Sequence, residues 1–265
     1  SDAELEKNMK LAAPIVYLVG STKFDKPLLI QYLEETGNEE FIQDIEKSGV
    51  DEMDICSFYA KLCYKSLTIG QNNNISRTRS IAKNFINCIE SGHGSVMEHA
   101  TLNFVAENVS RIETTEHIRH RAGQAISAES GRYCMADNLI VWVPPYIHSR
   151  GEENVSVFLQ YMRDSEINYM KFRDKLLAGL SSFDEKKKAT SAARRLKPMG
   201  CGETLGFTLN LRSIRHTVVM RTSRHAEEEI RMVFNQVAKI VEDKIPLLFN
   251  DMEAVEVDGL LDYTH

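Results

Sequence analysis

Thr204-Leu205-Gly206-Phe207-Thr208-Leu209 alternates along its length. A period of two sends Leu205, Phe207 and Leu209 to one face and leaves Thr204, Thr208 and Asn210 on the other, the pattern of a strand with one buried side. Downstream the period changes. Ala226, Ile230, Val233, Phe234, Val237, Ile240 and Val241 recur at i, i+4, i+7, i+8, i+11, i+14 and i+15. That spacing marks one buried face of a helix, belonging to the core or to a subunit interface. Pro246 limits its extension. Both periods in one chain indicate an α/β (α+β) fold, a mixed or antiparallel sheet packed with long helices.

Working outward, Ile15 to Val19, Thr101 to Val105 and Leu139 to Val143 read as further strands. Ile81, Phe85, Ile86 and Ile89 follow a helical spacing, with Gly92 as the stop. A long helix is predicted from about Val155 to Leu180, marked by Phe158, Tyr161 and Met162. Ser110-Arg111-Ile112-Glu113 has the form of a capping box. It predicts a helix that carries Arg119-His120-Arg121 and ends at Gly123. The polar stretches Gly70 to Asn74 and Ser149 to Asn154 are too short for interdomain linkers, so residues 1–265 read as a single domain.

At 265 residues and 43% hydrophobic, the chain can bury a sizeable core. Its net charge of −6 argues against a general nucleic-acid binder and makes clustered arginines local anion sites. The longest apolar run, Leu139 to Pro145, is far too short to cross a membrane. Cys56, Cys63, Cys88, Cys134 and Cys201 are odd in number, widely spread and free of C-x-x-C pairs. They fit neither a disulfide scaffold nor a zinc site, which points to a reducing cytoplasm. Dinucleotide-fold, P-loop and nucleophile-elbow signatures are missing.

Four constellations can carry chemistry. Arg119-His120-Arg121, followed by Ser130-Gly131-Arg132, joins permanent cations to a turn that can approach an anion closely. On a regular helix Arg119 and Arg121 lie about 200° apart. Either the helix frays at Arg121, or the triplet serves two neighbouring sites across a subunit interface. Glu116, Arg119 and His120 share a face, where an exposed Glu116–Arg119 ion pair is the plain structural alternative. Gly92-His93-Gly94-Ser95-Val96-Met97-Glu98-His99 offers hydroxyl, carboxylate and imidazole groups but no recognised metal-ligand spacing. Arg212 with His216, and Arg221 with His225, are spaced to lie along one helix face. Ala193-Arg194-Arg195-Leu196 adds another arginine pair before Pro198.

In order, these segments closely resemble the flavin-dependent thymidylate synthases. The matching residues are Cys63-Tyr64, Gly92-His93, Ser95-Val96, Glu98-His99, Ser110-Arg111, Glu116, Arg119-His120-Arg121, Ser130, Arg132-Tyr133, Ala193-Arg194 to Pro198, Asn210, Arg212, Met220-Arg221, Ser223, His225-Ala226 and Glu229-Ile230-Arg231. They run from about residue 60 to 245. One departure stands out: eight residues separate Arg121 from Ser130, where the family usually has seven, as though one were inserted between Gln124 and Glu129.

The resemblance implies methylation of dUMP to dTMP with methylenetetrahydrofolate as carbon donor. NADPH supplies reducing equivalents through FAD, and tetrahydrofolate is released. It also implies a homotetramer with active sites at subunit interfaces. FAD contacts are expected from His93, Ser95, Glu98, Arg119, His120, Arg121, Asn210, Arg212, His216 and His225. For the substrate, Ser130, Gly131, Arg132 and Arg194 would hold the phosphate, and Glu116, Arg119 and Arg221 would contact the nucleotide. Arg221 is the expected electrostatic activator of the pyrimidine. No catalytic cysteine is implied, and no metal. A different pyrimidine nucleotide, such as UMP, stays open at this level.

Overall fold

In the computed structural model, which describes residues 9–131 and 139–265, the chain opens with strands β1 (Lys10–Leu11) and β2 (Ile15–Ser21). Helices α1 (Lys26–Glu35), α2 (Glu40–Ser48), α3 (Asp51–Cys63) and α4 (Ile81–Glu90) follow. A 3₁₀ turn at Gly94–His99 leads into β3 (Thr101–Ser110), α5 (Arg111–His117), β4 (Gln124–Ala128) and β5 (Ile140–Val141). Then come α6 (Pro145–Ser149), α7 (Glu152–Leu177), α8 (Phe183–Ala193) and β6 (Cys201–Asn210). Helices α9 (Leu211–Thr222) and α10 (Glu228–Lys244) precede a terminal hairpin of β7 (Glu253–Val257) and β8 (Leu260–Thr264).

The alternation in β6 does what its period predicts. Cys201, Glu203, Leu205, Phe207 and Leu209 are buried, while the residues between them are half-buried. Strand β6 pairs antiparallel with β3 along one edge and with β4 and β5 along the other. Strand β2 extends the sheet beyond β3, and β1 joins β5 in parallel. The sheet is therefore mixed, as expected. Helix α10 lays Ile230, Val233, Phe234, Val237 and Val241 into the main core with no exposed surface. Each such side chain contributes about 1.5–3 kcal/mol. The stripe is core of this chain. Gln236 ties the helix to the sheet by accepting from Val16 N at 3.0 Å and donating to Pro14 O at 3.1 Å.

Several boundaries differ from expectation. Strand β3 runs on to Ser110, through a register shift between Ala106 and Val109 where Asn108 adopts φ 63°. Only Ile140–Val141 of the predicted 139–143 strand is paired, because its partners are the first two residues of β6. Helix α7 starts after Gly151 and stops at Leu177, ahead of Gly179 at φ 76°. Ala226 precedes α10, whose N-cap is Glu227.

The largest correction concerns the helix opened by Ser110. It ends at His117, so Arg119-His120-Arg121 lies beyond it. Arg119 N and His120 N bond only three residues back, to Glu116 O and His117 O. Gly123, at φ +68°, then turns the chain into β4. The capping box is also only half formed. Ser110 Oγ accepts from Ile112 N and Glu113 N, but Ser110 N donates to Glu229 Oε1 at 2.6 Å. Glu113 instead pairs with the fully buried His117 at 2.8 Å.

Candidate functional site

Leaving the helix at His117 brings the triplet back against the end of α9. Arg221 Nε donates to His120 Nε2 at 2.6 Å, and Arg221 Nη1 meets Glu116 Oε2 at 3.0 Å. A third bond runs from Arg221 Nη2 to Glu116 O at 3.2 Å. A guanidinium carries five N–H donors. Three are occupied here, and the side chain lines an open cleft of about 740 Å³ with Ser223, Arg224 and His225. The Glu116–Arg119 ion pair, the plain structural alternative, does not form; Glu116 pairs with Arg221. Burial and the neighbouring Arg221, His117 and His216 push the His120 imidazole down to about 4.

Helix α9 ends at Thr222, so His225 is not on the same helix face as Arg221. It reaches the cleft from the turn that follows, where Asp262 of the terminal hairpin accepts from Arg224 N at 3.2 Å. Arg212 and His216 do lie one turn apart on α9, both exposed. The rings of His216 and His120 are 6.1 Å apart.

A second cleft, of about 380 Å³, is lined by Tyr64, His93, Ser95 and Arg212. Glu98 pairs with Arg212 Nη1 at 2.5 Å. Gly94 packs against the Arg212 side chain, where a Cβ would come within 3.1 Å of Nε. His93 and His99 diverge: His93 faces Tyr64, while His99 stacks on Tyr59 at 3.8 Å. Among the described residues no cluster of three His, Cys, Asp or Glu side chains could hold a metal.

Asn210 joins the two halves of this region. As N-cap of α9 it accepts from Ser213 N at 2.8 Å, and its own N–H donates to Gly123 O at 2.9 Å. Ser213 Oγ donates to Ala122 O at 2.8 Å. The Arg-His-Arg segment is therefore clamped to α9 at both ends. Arg119 and Arg121 remain exposed and form no ion pair among the described residues.

A third cleft, of about 420 Å³, holds Gly131 and Arg194. Their proximity is close: a Cβ on Gly131 would sit 4.0 Å from Arg194 Cδ. Arg111, Arg195 and Lys197 add charge, and Glu203 is the one carboxylate among the described residues of the lining. Arg111 Nε meets Glu203 Oε1 at 2.7 Å, which orients the guanidinium. Ser130, next in the chain, is half-buried. Arg132 lies outside the described residues. Strand β4 pairs without a bulge from Gln124 to Ala128, so the suspected insertion does not interrupt it.

Arg111 is the residue sequence reasoning passed over. The Ser110-Arg111 match was visible, but its place in this cleft depends on the ion pair with Glu203 across the fold. Cys201 also reaches this cleft, yet burial pushes its thiol up to about 12, away from nucleophilic use. No helix among the described residues is long and apolar enough to cross a membrane.

Residues 47–247 match the family described as thymidylate synthase complementing protein. A flavin-dependent thymidylate synthase from Clostridium tetani (strain Massachusetts / E88) is 31% identical over 196 residues, covering 72% of this chain and 78% of that one. One from Mycobacterium leprae (strain Br4923) is 29% identical over 239 residues, covering 86% and 91%. In fold, the chain is similar to the UMP/dUMP methylase PolB from Streptomyces cacaoi bound with 5-Br dUMP. The TM-score is 0.62 at 18% identity, covering 91% of this chain and 95% of that one. It is also similar to ThyX from Helicobacter pylori complexed with FAD and dUMP, with TM-score 0.55 at 19% identity over 76% and 94%. With three quarters of its length inside the family match, and clefts lined by the residues its motifs single out, the chain belongs to the flavin-dependent thymidylate synthases.

Proposed function

We propose that this protein converts dUMP to dTMP, using methylenetetrahydrofolate as carbon donor and NADPH as reductant, with FAD as cofactor. The observation that carries the reading is the held guanidinium of Arg221. Two of its N–H groups have no partner among the described residues, and the side chain opens onto a cleft. A cation fixed in this way stabilises charge that builds on a pyrimidine carbonyl, at no reorganisation cost. Glu116 and His120 hold it in place, and the neutral imidazole adds no competing positive charge.

The donor set fits a flavin dinucleotide. Cations, a hydroxyl and imidazoles line open clefts, and the Gly92 turn leaves free space beside His93 and Ser95. On this reading His93, Ser95, Glu98, Arg119, His120, Arg121, Asn210, Arg212, His216 and His225 hold FAD. Bound there, FAD supplies the hydride chemistry, and the protein supplies position and field. Gly131, Arg194 and Arg111 would take the substrate phosphate, with Ser130 and Arg132 completing that turn.

Among the described residues these side chains divide between clefts. Arg221, Arg212 and Arg194 each line a different one. That separation supports sites shared between subunits of a homotetramer, each subunit a single-domain chain working in a reducing cytoplasm.

The test is to incubate purified protein with FAD, NADPH, methylenetetrahydrofolate and dUMP and to separate the products. Formation of dTMP with tetrahydrofolate is expected. A strong preference for UMP over dUMP would overturn the substrate assignment, and no product from folded protein would overturn the reaction.

A further inference from the structure

Between the end of α3 and the start of α4 lies a recess of about 210 Å³ whose arginines, Arg77 and Arg79, none of the roles above uses. Lys61, Tyr64, Arg77, Arg79, Asn84 and His93 form its walls, and no Asp or Glu among the described residues lines it. Lys61 is already neutralised, with Nζ 3.1 Å from Asp44 Oδ2 and 5.1 Å from the centre of the Phe41 ring. Asn84 is engaged as well, its side chain lying 3.5 Å from Ser57 O. The uncompensated charge is that of Arg77 and Arg79, neither of which forms an ion pair among the described residues.

The recess does not stand alone. Tyr64 and His93 line both it and the 380 Å³ cleft that contains Ser95 and Arg212. Their ring centroids are 6.3 Å apart and the planes within 24° of parallel, so the recess and the cleft adjoin at these two rings. A ligand seated in the cleft can therefore place a charged end in the recess. At this volume it is too small for a whole ring-bearing ligand, whose pockets run to about 300–1,000 Å³. It does suit a carboxylate or phosphate group, which two arginine forks bind well.

We infer that this recess docks the anionic end of a cosubstrate that approaches the flavin cleft. That chemistry has two sources in the proposed reaction, the glutamate carboxylates of the folate and the phosphates of the reduced nicotinamide dinucleotide. The inference rests on the functional reading given above, because that reading requires both compounds to reach the flavin. Arg77 and Arg79 act through charge and set KM for that cosubstrate.

The experiment uses the FAD-loaded holoenzyme carrying Arg77→Gln and Arg79→Gln together. Flavin content, melting temperature and dUMP affinity should match wild type. KM for one cosubstrate should rise about tenfold, the equivalent of 1.4 kcal/mol, with the effect on KM and not on kcat. A rise for NADPH but not NADH assigns the recess to the 2′-phosphate, and an equal rise for both assigns it to the pyrophosphate. A rise larger for folate triglutamate than for monoglutamate assigns it to the tail carboxylates. The paired Arg77→Lys and Arg79→Lys variant should recover much of the loss. Unchanged KM for every cosubstrate, or loss of FAD instead, overturns the inference. Calorimetric titration of both proteins with NADP⁺ and with pteroyltriglutamate is independent of turnover. If wild type makes no dTMP, the functional reading fails, while weaker binding of either probe to the glutamine variant still upholds the recess.

Discussion

Arg221 and His120, 101 residues apart in sequence, are joined by a 2.6 Å hydrogen bond from Nε to Nε2. Because Nε2 accepts, His120 is neutral and its ring proton sits on Nδ1. The fold thereby uses a fixed cation to set the tautomer of a ring in the site. Desolvation, then Arg221, His117 and His216, all oppose protonation of His120 and bring it down to about 4.

That relationship has a pH consequence. An unfolded histidine takes up its proton near pH 6.5, while folded His120 does so only near 4. Between those values the unfolded chain binds more protons, so this residue makes stability fall as pH is lowered from about 6.5 toward 4. Histidine NMR should show one ring that stays neutral through pH 5. In Arg221→Gln that ring should titrate closer to 6.5, and an unmoved transition would remove Arg221 from the causes, leaving burial.

Arg221→Ala removes the held guanidinium and strands Glu116 without its ion-pair partner. The expected result is a fall in kcat of about 10²–10³-fold for dTMP formation, as for loss of one preorganised charge-stabilising group. FAD content should be retained. Near-normal turnover would remove Arg221 from the mechanism.

Gly123→Ala tests the clamp between the Arg-His-Arg segment and α9. Gly123 sits at φ +68°, and a Cβ there would come within 2.3 Å of Asn210 Nδ2. Strain of about 1–3 kcal/mol is expected from the backbone alone. Thermal unfolding should shift down by at least several degrees, with weaker flavin retention because Asn210 must move. An unchanged melting temperature would contradict the close approach.

Glu229 presents the opposite pH behaviour. Burial drives its carboxyl up to about 7, despite the bonds it accepts from Ser110. The folded chain thus holds a proton that the unfolded chain releases near 4.5. Its contribution is complete below about pH 4.5 and is lost as pH rises through about 7. Glu229→Gln, which mimics the protonated form, should gain in melting temperature relative to wild type between pH 5 and pH 8. A difference that stays constant over that range would refute the raised value.

Much of this architecture was legible in the residues. The alternation of Leu205, Phe207 and Leu209 and the stripe from Ile230 to Val241 announced the central strand and the core helix, because periodicity reports directly which face loses water. The order of the motifs carried the family. Helix ends were less legible. Ser110 signalled a start, but nothing local says that α5 stops at His117, since that stop depends on burying His117 against Phe207 and Phe234.

Residue types, periods and motif spacing are local properties, and they were enough to assign the fold class and the family. Which side chains meet is decided only when the chain folds. Spacing alone left Glu116 free to pair with Arg119, three residues away, yet it pairs with Arg221 across 105 residues. Arg111 lines the same cleft as Arg194, with its guanidinium oriented by Glu203, a residue of a strand 92 positions downstream. Contacts of that kind follow from packing α5 and α9 against one sheet, where burial and charge pairing across long separations outweigh any preference written into neighbouring residues.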